Sequence, residues 1–303
     1  MAPVNLTTVN SDGFKRFLDS FDHVFSDCDG VLWLTQAILP GVGDFFRLMK
    51  ENGKTVHFVS NNSMRSRGNY RALFEKAGVS HGFDSLITPS VAMVEYLKSV
   101  NFDKHVYCLT CEETIKMLEV NGFKTKYGPD VCHKFLDNFA DFTQYLIDDA
   151  DIGAVAFDSD YKVNLPKMYK AATYLRRPEV LFMNGPTDKF VPLKGQMTIG
   201  VAFAAELVSE LVNREPIGLG KPSKNFGVLG MRRAGVTDPS RVLFIGDTLE
   251  QDVRLGKNTG FKTLLVLTQH TEQIMMAEPV ALQPDFFAPS LGTIVPKFTY
   301  VKN

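Results

Sequence analysis

The sequence predicts an α/β protein, a Rossmann-like parallel-sheet core with an inserted α/β cap. Three observations predict it. Short β-branched or aromatic apolar runs alternate with longer amphipathic stretches, a rhythm that implies parallel strands covered by helices on both faces. Three of the runs end in acidic, hydroxyl or amide residues, where open parallel sheets bind their ligands. The middle of the chain carries a complete α/β pattern of its own, between two short crossings near Val100 and Pro216.

The elements follow in order. Val24, Phe25 and Ser26 read as a first strand, and Phe45, Leu48 and Met49, at helical spacing before Gly53, as a helix. The run from Thr55 to Val59 is a second strand, and Tyr70, Leu73, Phe74 and Ala77 mark a helix ending at Gly78. Pro89 and Ser90 open another helix, with Val94 and Leu97 on its apolar side. The inserted unit then reads as strands over 105–109, 152–157 and 180–183 and helices over 112–121, 166–177 and 199–213. Val242 to Ile245 and Thr263 to Val266 are late core strands. The expected division is therefore 1–100 for the first part of the core, 101–214 for the cap and 215–303 for the second part of the core.

Composition narrows the function classes. The chain has 303 residues, 45% of them hydrophobic, enough apolar surface to offset ordering entropy and to exclude general disorder. Lys+Arg is 33 against Asp+Glu 34, so no basic field gathers nucleic acid or an anionic membrane. No apolar run approaches the ~20 residues of a spanning helix. Met1-Ala2-Pro3-Val4-Asn5 lacks the basic and apolar regions of a secretory signal, and four cysteines are too few for a disulfide scaffold. A cytoplasmic protein is expected.

The chemistry lies at the strand ends. The first strand runs into Asp27-Cys28-Asp29-Gly30, the second into Ser60-Asn61-Asn62, and the 242–245 run into Gly246-Asp247, with Asp252 five residues on. Gly218-Leu219-Gly220-Lys221-Pro222 adds a lysine on a glycine turn. Asp27, Asp29 and Asp247 concentrate like charges, which repel. A hard divalent cation on few carboxylates resolves this, and Mg²⁺ suits it. Lys221, Ser60 and Asn61 add positive potential for a phosphate. One aspartate can attack phosphorus, and the second, two residues away, can protonate the leaving oxygen and then activate water.

These four pieces, in this order, resemble the haloacid-dehalogenase-like phosphatases. The chain is similar to their large-cap branch, which includes phosphoglycolate, pyridoxal-phosphate and 4-nitrophenyl phosphatases. The resemblance implies Asp27 as nucleophile and Asp29 as general acid/base, with its main-chain carbonyl on Mg²⁺. It implies Ser60, Asn61 and Asn62 as phosphoryl-binding residues and Lys221 as the clamp on nucleophile and phosphate. Asp247 would be the further metal ligand, with Asp252 supporting the site behind it. The partner implied is a small phosphate ester, with neither nucleic acid nor membrane, and the chain is expected to pair as a homodimer through the cap.

The cap departs from the family pattern. Phe157-Asp158 follows Ala156 where relatives carry Gly, and Val163 and Leu165 stand where relatives carry Tyr and Lys. The relatives' Thr-Asn-x-Asp loop reads Gly185-Pro186-Thr187-Asp188, so Asp188 is the substrate-facing residue expected of the 184–193 loop. Two other function classes fit parts of the chain. A phosphatase-like binding protein fits the altered cap. A metal-dependent glycosyltransferase fits Asp-x-Asp but leaves Ser60, Lys221 and Asp247 without a role. Gly218 to Lys221 is not a P-loop, because Glu215 holds the first glycine position and Pro222 follows the lysine; Pro222 suits the first turn of a helix. Cys108 and Cys111 have only Cys132-His133 as a second zinc pair, and buried small cysteines are the better reading. His57, inside a strand, reads as a packed histidine.

Overall fold

A sheet of seven short strands forms the first unit. Across the sheet they run Val4–Asn5, Phe286–Ala288, Lys262–Val266, Val242–Gly246, His23–Ser26, Thr55–Val59 and Leu86–Ile87, every neighbouring pair parallel. The computed structural model describes residues 2–130, 138–193 and 196–300; the expected Cys132-His133 pair lies outside them. Among the described residues no helix is long and apolar enough to cross a membrane. All of Val242–Gly246 is buried, as are the last three residues of His23–Ser26. This is the continuous burial of a parallel strand covered on both faces.

One face of this sheet packs on Phe14, Phe17, Phe45, Phe46 and Phe74. Phe46, Phe58, Phe74 and the single tryptophan, Trp33, meet at successive centroid separations of 5.2, 4.8 and 5.2 Å in the order named. Burying each such ring contributes about 1.5–3 kcal/mol. The helices Val42–Glu51 and Arg67–Lys76 supply the expected apolar positions, and Ser66 caps the second by accepting from the amide of Asn69.

The second unit has its own parallel five-stranded sheet, in the order Ile217–Gly218, Leu181–Asn184, Ile152–Phe157, His105–Leu109 and Lys124–Tyr127. Its core joins Tyr107, Val155 and Phe182 to Met168, Leu175, Ala205 and Val208 of the helices Leu165–Leu175 and Ala202–Val212.

Several expectations are corrected. The chain divides after Ile87 and before Lys221, not at 100/101 and 214/215. Leu86–Ile87 completes the core sheet, the helix Pro89–Ser99 packs against Glu112–Val120, and Ile217–Gly218 pairs with Leu181–Asn184. The short stretch Asn61–Arg65 also belongs to the second unit. The helix expected over 199–213 starts at Ala202, because Gln196–Ile199 pairs antiparallel with Phe190–Leu193. The 184–193 loop therefore ends in a strand. Pro192 obscured it, since proline is tolerated in strands chiefly at an edge, and this hairpin is all edge. Pro222 precedes its helix, which begins at Lys224 under a Ser223 cap.

Candidate active site

The first-unit cluster grows from two adjacent strand ends. His23–Ser26 and Val242–Gly246 are neighbours, and the amide of Asp27 extends their pairing by donating to the Ile245 carbonyl at 2.8 Å. Asp27 and Asp247 thus leave the same edge of the sheet one strand apart. Beyond Asp27 the chain turns sharply: the Leu32 amide donates to the Cys28 carbonyl at 2.8 Å, and Gly30 takes φ +81°. A Cβ on Gly30 would lie 1.7 Å from Oδ2 of Asp247, so only glycine lets the turn approach that carboxylate.

Asp27, Asp247 and Asp252 each present a carboxylate oxygen within 4.8 Å of the others, and all three are buried. Lys221, also buried, bridges two of them. Its Nζ lies 2.8 Å from Oδ1 of Asp27 and 2.7 Å from Oδ1 of Asp252. The other Asp252 oxygen accepts from the Asp247 amide at 3.1 Å, the Thr248 amide at 3.0 Å and the Thr248 hydroxyl at 2.7 Å. Asp252 is therefore the anchor of the cluster, held by the turn Leu249–Val253 that follows the strand. Its carboxylate lies in the same buried group as those of Asp27 and Asp247, and its bonds to Lys221, Asp247 and Thr248 make it the support of that group.

The electrostatics follow. Burial pushes the Asp27 carboxyl up to about 7, the charges of Asp252 and Asp29 add to this, and Lys221 opposes it. Burial, then Asp252 and Asp27, raise Asp247 well above the carboxylate range. Burial works against the charge of Lys221, but the carboxylates of Asp252 and Asp27 outweigh it and hold the ammonium above its ordinary range. Three buried carboxylates around one ammonium leave an excess of negative charge. A hard divalent cation bound by oxygen ligands fits that donor set.

Asp29 stands apart from this group. Its Oδ1 accepts from the indole Nε1 of Trp33 at 3.0 Å, a contact the sequence reading missed, although the spacing of four residues in a tight turn was visible. Ser60, 1% exposed, donates its amide to the Ile87 carbonyl at 3.0 Å, and its Oγ accepts from the Tyr70 hydroxyl at 3.0 Å.

In the second unit, Nδ2 of Asn61 donates to Oδ2 of Asp188 at 3.3 Å, which brings two of the expected substrate residues together. Asn62 is partly committed to the backbone: its Oδ1 accepts from the amides of Met64 at 3.1 Å and Arg65 at 3.2 Å. Two further buried charged groups stand here. Lys167 is buried and pairs with Asp130 at 2.6 Å and Asp160 at 2.8 Å. Asp158 is buried and accepts from Thr114. Cys108 and Cys111 are free thiols; burial pushes Cys111 up to about 11 and Cys108 higher still.

Known proteins match this arrangement. The family model described as haloacid dehalogenase-like hydrolase matches residues 24–124, and the one described as HAD-hydrolase-like matches residues 218–294. Phosphoglycolate phosphatase 2 of Arabidopsis thaliana is 33% identical, over 97% of this chain and 98% of its own. Glycerol-3-phosphate phosphatase of Rattus norvegicus is 26% identical, over 97% of this chain and 96% of its own. The solved p-nitrophenyl phosphatase from Archaeoglobus fulgidus superposes with a TM-score of 0.75 at 25% identity, covering 91% of this chain and 99% of that one. The two matched stretches hold Asp27, Asp29, Ser60, Lys221 and Asp247, and the chain belongs to the haloacid dehalogenase-like hydrolases, among their phosphatases.

Proposed function

We propose that the chain hydrolyses small phosphomonoesters in a Mg²⁺-dependent reaction, through an aspartyl-phosphate on Asp27. The observation that carries this reading is the buried Asp27–Lys221–Asp252 chain of ion pairs beside Asp247, at the carboxyl edge of a parallel sheet. A carboxylate oxygen of Asp27 attacks phosphorus as the ester P–O bond breaks. The Asp29 carboxyl gives its proton to the leaving oxygen. In the second step Asp29 takes a proton from water, the water oxygen attacks phosphorus, and Asp27 is released with inorganic phosphate. Lys221, held from behind by Asp252, keeps Asp27 in place and sets positive charge against the transferring group. Asp27, Asp247 and the Asp29 carbonyl would hold the Mg²⁺, which supplies positive charge for the phosphoryl oxygens. Ser60, Asn61 and Asn62 are proposed to contact the phosphoryl group, and Asp188 the leaving group.

Phosphoglycolate, glycerol phosphate, pyridoxal phosphate and p-nitrophenyl phosphate are the proposed substrates; the names of the relatives support the class. Gly185 and Pro186 bring no side-chain donor to the 184–193 segment, which favours a broad profile over sharp selection among polar esters. Pairing with a second copy through the cap is proposed as well. Phe190, Ile199, Met197, Phe203, Leu207 and Leu211 are all exposed, and Phe190 and Ile199 are cross-strand partners on one face of the hairpin. A sedimentation experiment decides the pairing.

The reaction is tested by phosphate release from p-nitrophenyl phosphate with Mg²⁺, with chelator, and with Asp27→Asn. Activity should vanish in chelator and return with Mg²⁺, and the variant should lose several orders of magnitude. More than about a tenth of wild-type turnover in Asp27→Asn would refute the nucleophile.

A further inference from the structure

The stretch Asn61–Arg65 packs with the second unit, while Ser60 before it and Ser66 after it belong to the first. It is fastened to the second unit at two places. One is the Asn61–Asp188 hydrogen bond at 3.3 Å. The other is Cys111, whose Sγ donates to the main-chain oxygen of Ser63 at 3.5 Å and lies 3.3 Å from Oγ1 of Thr114. Thr114 in turn donates to Oδ2 of Asp158 at 2.5 Å, and Oδ1 of Asp158 accepts from the amide of Ser159 at 2.7 Å. The buried Ser63 hydroxyl lies close to the same carboxylate without completing a hydrogen bond.

These three residues come from neighbouring strand ends. Cys111 follows the strand His105–Leu109 and stands at the N-cap position of the helix Glu112–Val120, which carries Thr114 in its first turn. Asp158 follows Ile152–Phe157, and its amide donates to the Leu109 carbonyl at 3.0 Å. Thr114 is 0% and Asp158 4% exposed, so neither can exchange its partner for water. The hydroxyl hydrogen of Thr114 is committed to Asp158, so the one thiol hydrogen of Cys111 is shared between the Ser63 main-chain oxygen and the lone pairs of Thr114, and the 3.3 Å approach packs the sulfur against that hydroxyl. A linked set of this kind, on a rigid sheet edge, orients a short segment far better than surface contacts do.

We propose that Cys111, Thr114 and Asp158 are positioning residues that hold Asn61–Arg65 in the conformation in which Asn61 and Asn62 serve the reaction. The inference rests on the phosphatase reading for its kinetic consequence but not for its structural one. Thr114→Val keeps the shape and removes the hydroxyl; Thr114→Ser restores the hydroxyl; Cys111→Ala removes the Ser63 contact while leaving Asp158 paired.

The measurements are KM and kcat for p-nitrophenyl phosphate in Mg²⁺, and amide hydrogen exchange of the intact protein over 61–65. Thr114→Val and Cys111→Ala should raise KM about tenfold, equivalent to ~1.4 kcal/mol of binding, with a smaller fall in kcat. They should also speed exchange at the Met64 and Arg65 amides. Thr114→Ser should behave as wild type in both. Unchanged exchange over 61–65 in both Thr114→Val and Cys111→Ala overturns the proposal, whatever the activity. So does a loss of kcat with KM unmoved. A wild-type protein that releases no phosphate sinks the phosphatase reading instead, and exchange alone then decides the positioning role.

Discussion

Replacing Asp252 by asparagine isolates charge and acceptor count from shape. The wild-type carboxylate accepts four hydrogen bonds: one from Lys221 on Oδ1, and three from Asp247 and Thr248 on Oδ2. An amide must turn its NH₂ toward one of these two donor sets. Facing Lys221, it sets donor against ammonium and loses a charge-assisted bond worth about 1.5–3 kcal/mol. Facing the other way, it leaves two buried amides unpaired, each costing about 1–3 kcal/mol. Breaking a buried pair costs about 3–5 kcal/mol when the remaining charge is uncompensated. Here Lys221 keeps Asp27 at 2.8 Å, and repulsion on Asp27 and Asp247 is relieved. Asp252→Asn should therefore lose about 2–3 kcal/mol, below that range because Lys221 stays compensated, and Asp252→Ala more. At roughly 2–4 °C per kcal/mol the asparagine variant should melt about 4–12 °C lower. Because Lys221 loses one of its two anchors, turnover of p-nitrophenyl phosphate should fall at least about tenfold, the effect of ~1.4 kcal/mol on a barrier. Calorimetry and phosphate release measure both quantities. A variant that melts within about 1 °C of wild type and turns over normally would show that Asp252 neither anchors Lys221 nor supports the site.

Gly30→Ala should abolish phosphate release, because its Cβ would collide with Asp247. Gly53→Ala, at φ +75° with open space around it, should cost only about 1–2 kcal/mol of backbone strain and keep activity. Lys167→Met strands the buried Asp160 carboxylate and should destabilise the second unit by about 3–5 kcal/mol in urea unfolding, with part of the loss recovered in Lys167→Met/Asp160→Asn. Burial, with His23 adding, lowers the pKa of His57 from 6.5, so the unfolded chain takes up this proton first. Stability should fall as pH drops below about 6.5, and His57→Phe, which keeps the edge contact with Phe25, should flatten that slope; an unchanged slope in stability measured from pH 7 to 5 would discount His57.

The amino-acid sequence by itself determined the parallel core and the residues at its strand ends. A buried parallel strand is a short apolar run, and the polar residues closing it are adjacent in the chain, so Asp27, Ser60 and Asp247 were legible from neighbours alone. The glycine beside Asp29 was legible as a turn, though not as the gap that admits the Asp247 carboxylate. Tertiary structure decided everything that joins distant positions. The Lys221–Asp252 pair spans 31 residues, the Thr114–Asp158 bond 44 and the Asn61–Asp188 bond 127, and no local periodicity encodes such pairings. The same holds for the boundaries between the units. Leu86–Ile87 and Ile217–Gly218 are two-residue strands whose membership depends on the partner strand, because so few residues carry no pattern of their own. The hairpin over 190–199 lay hidden for a related reason: Phe190, Met197 and Ile199 are exposed, and a sequence pattern marks what a fold buries.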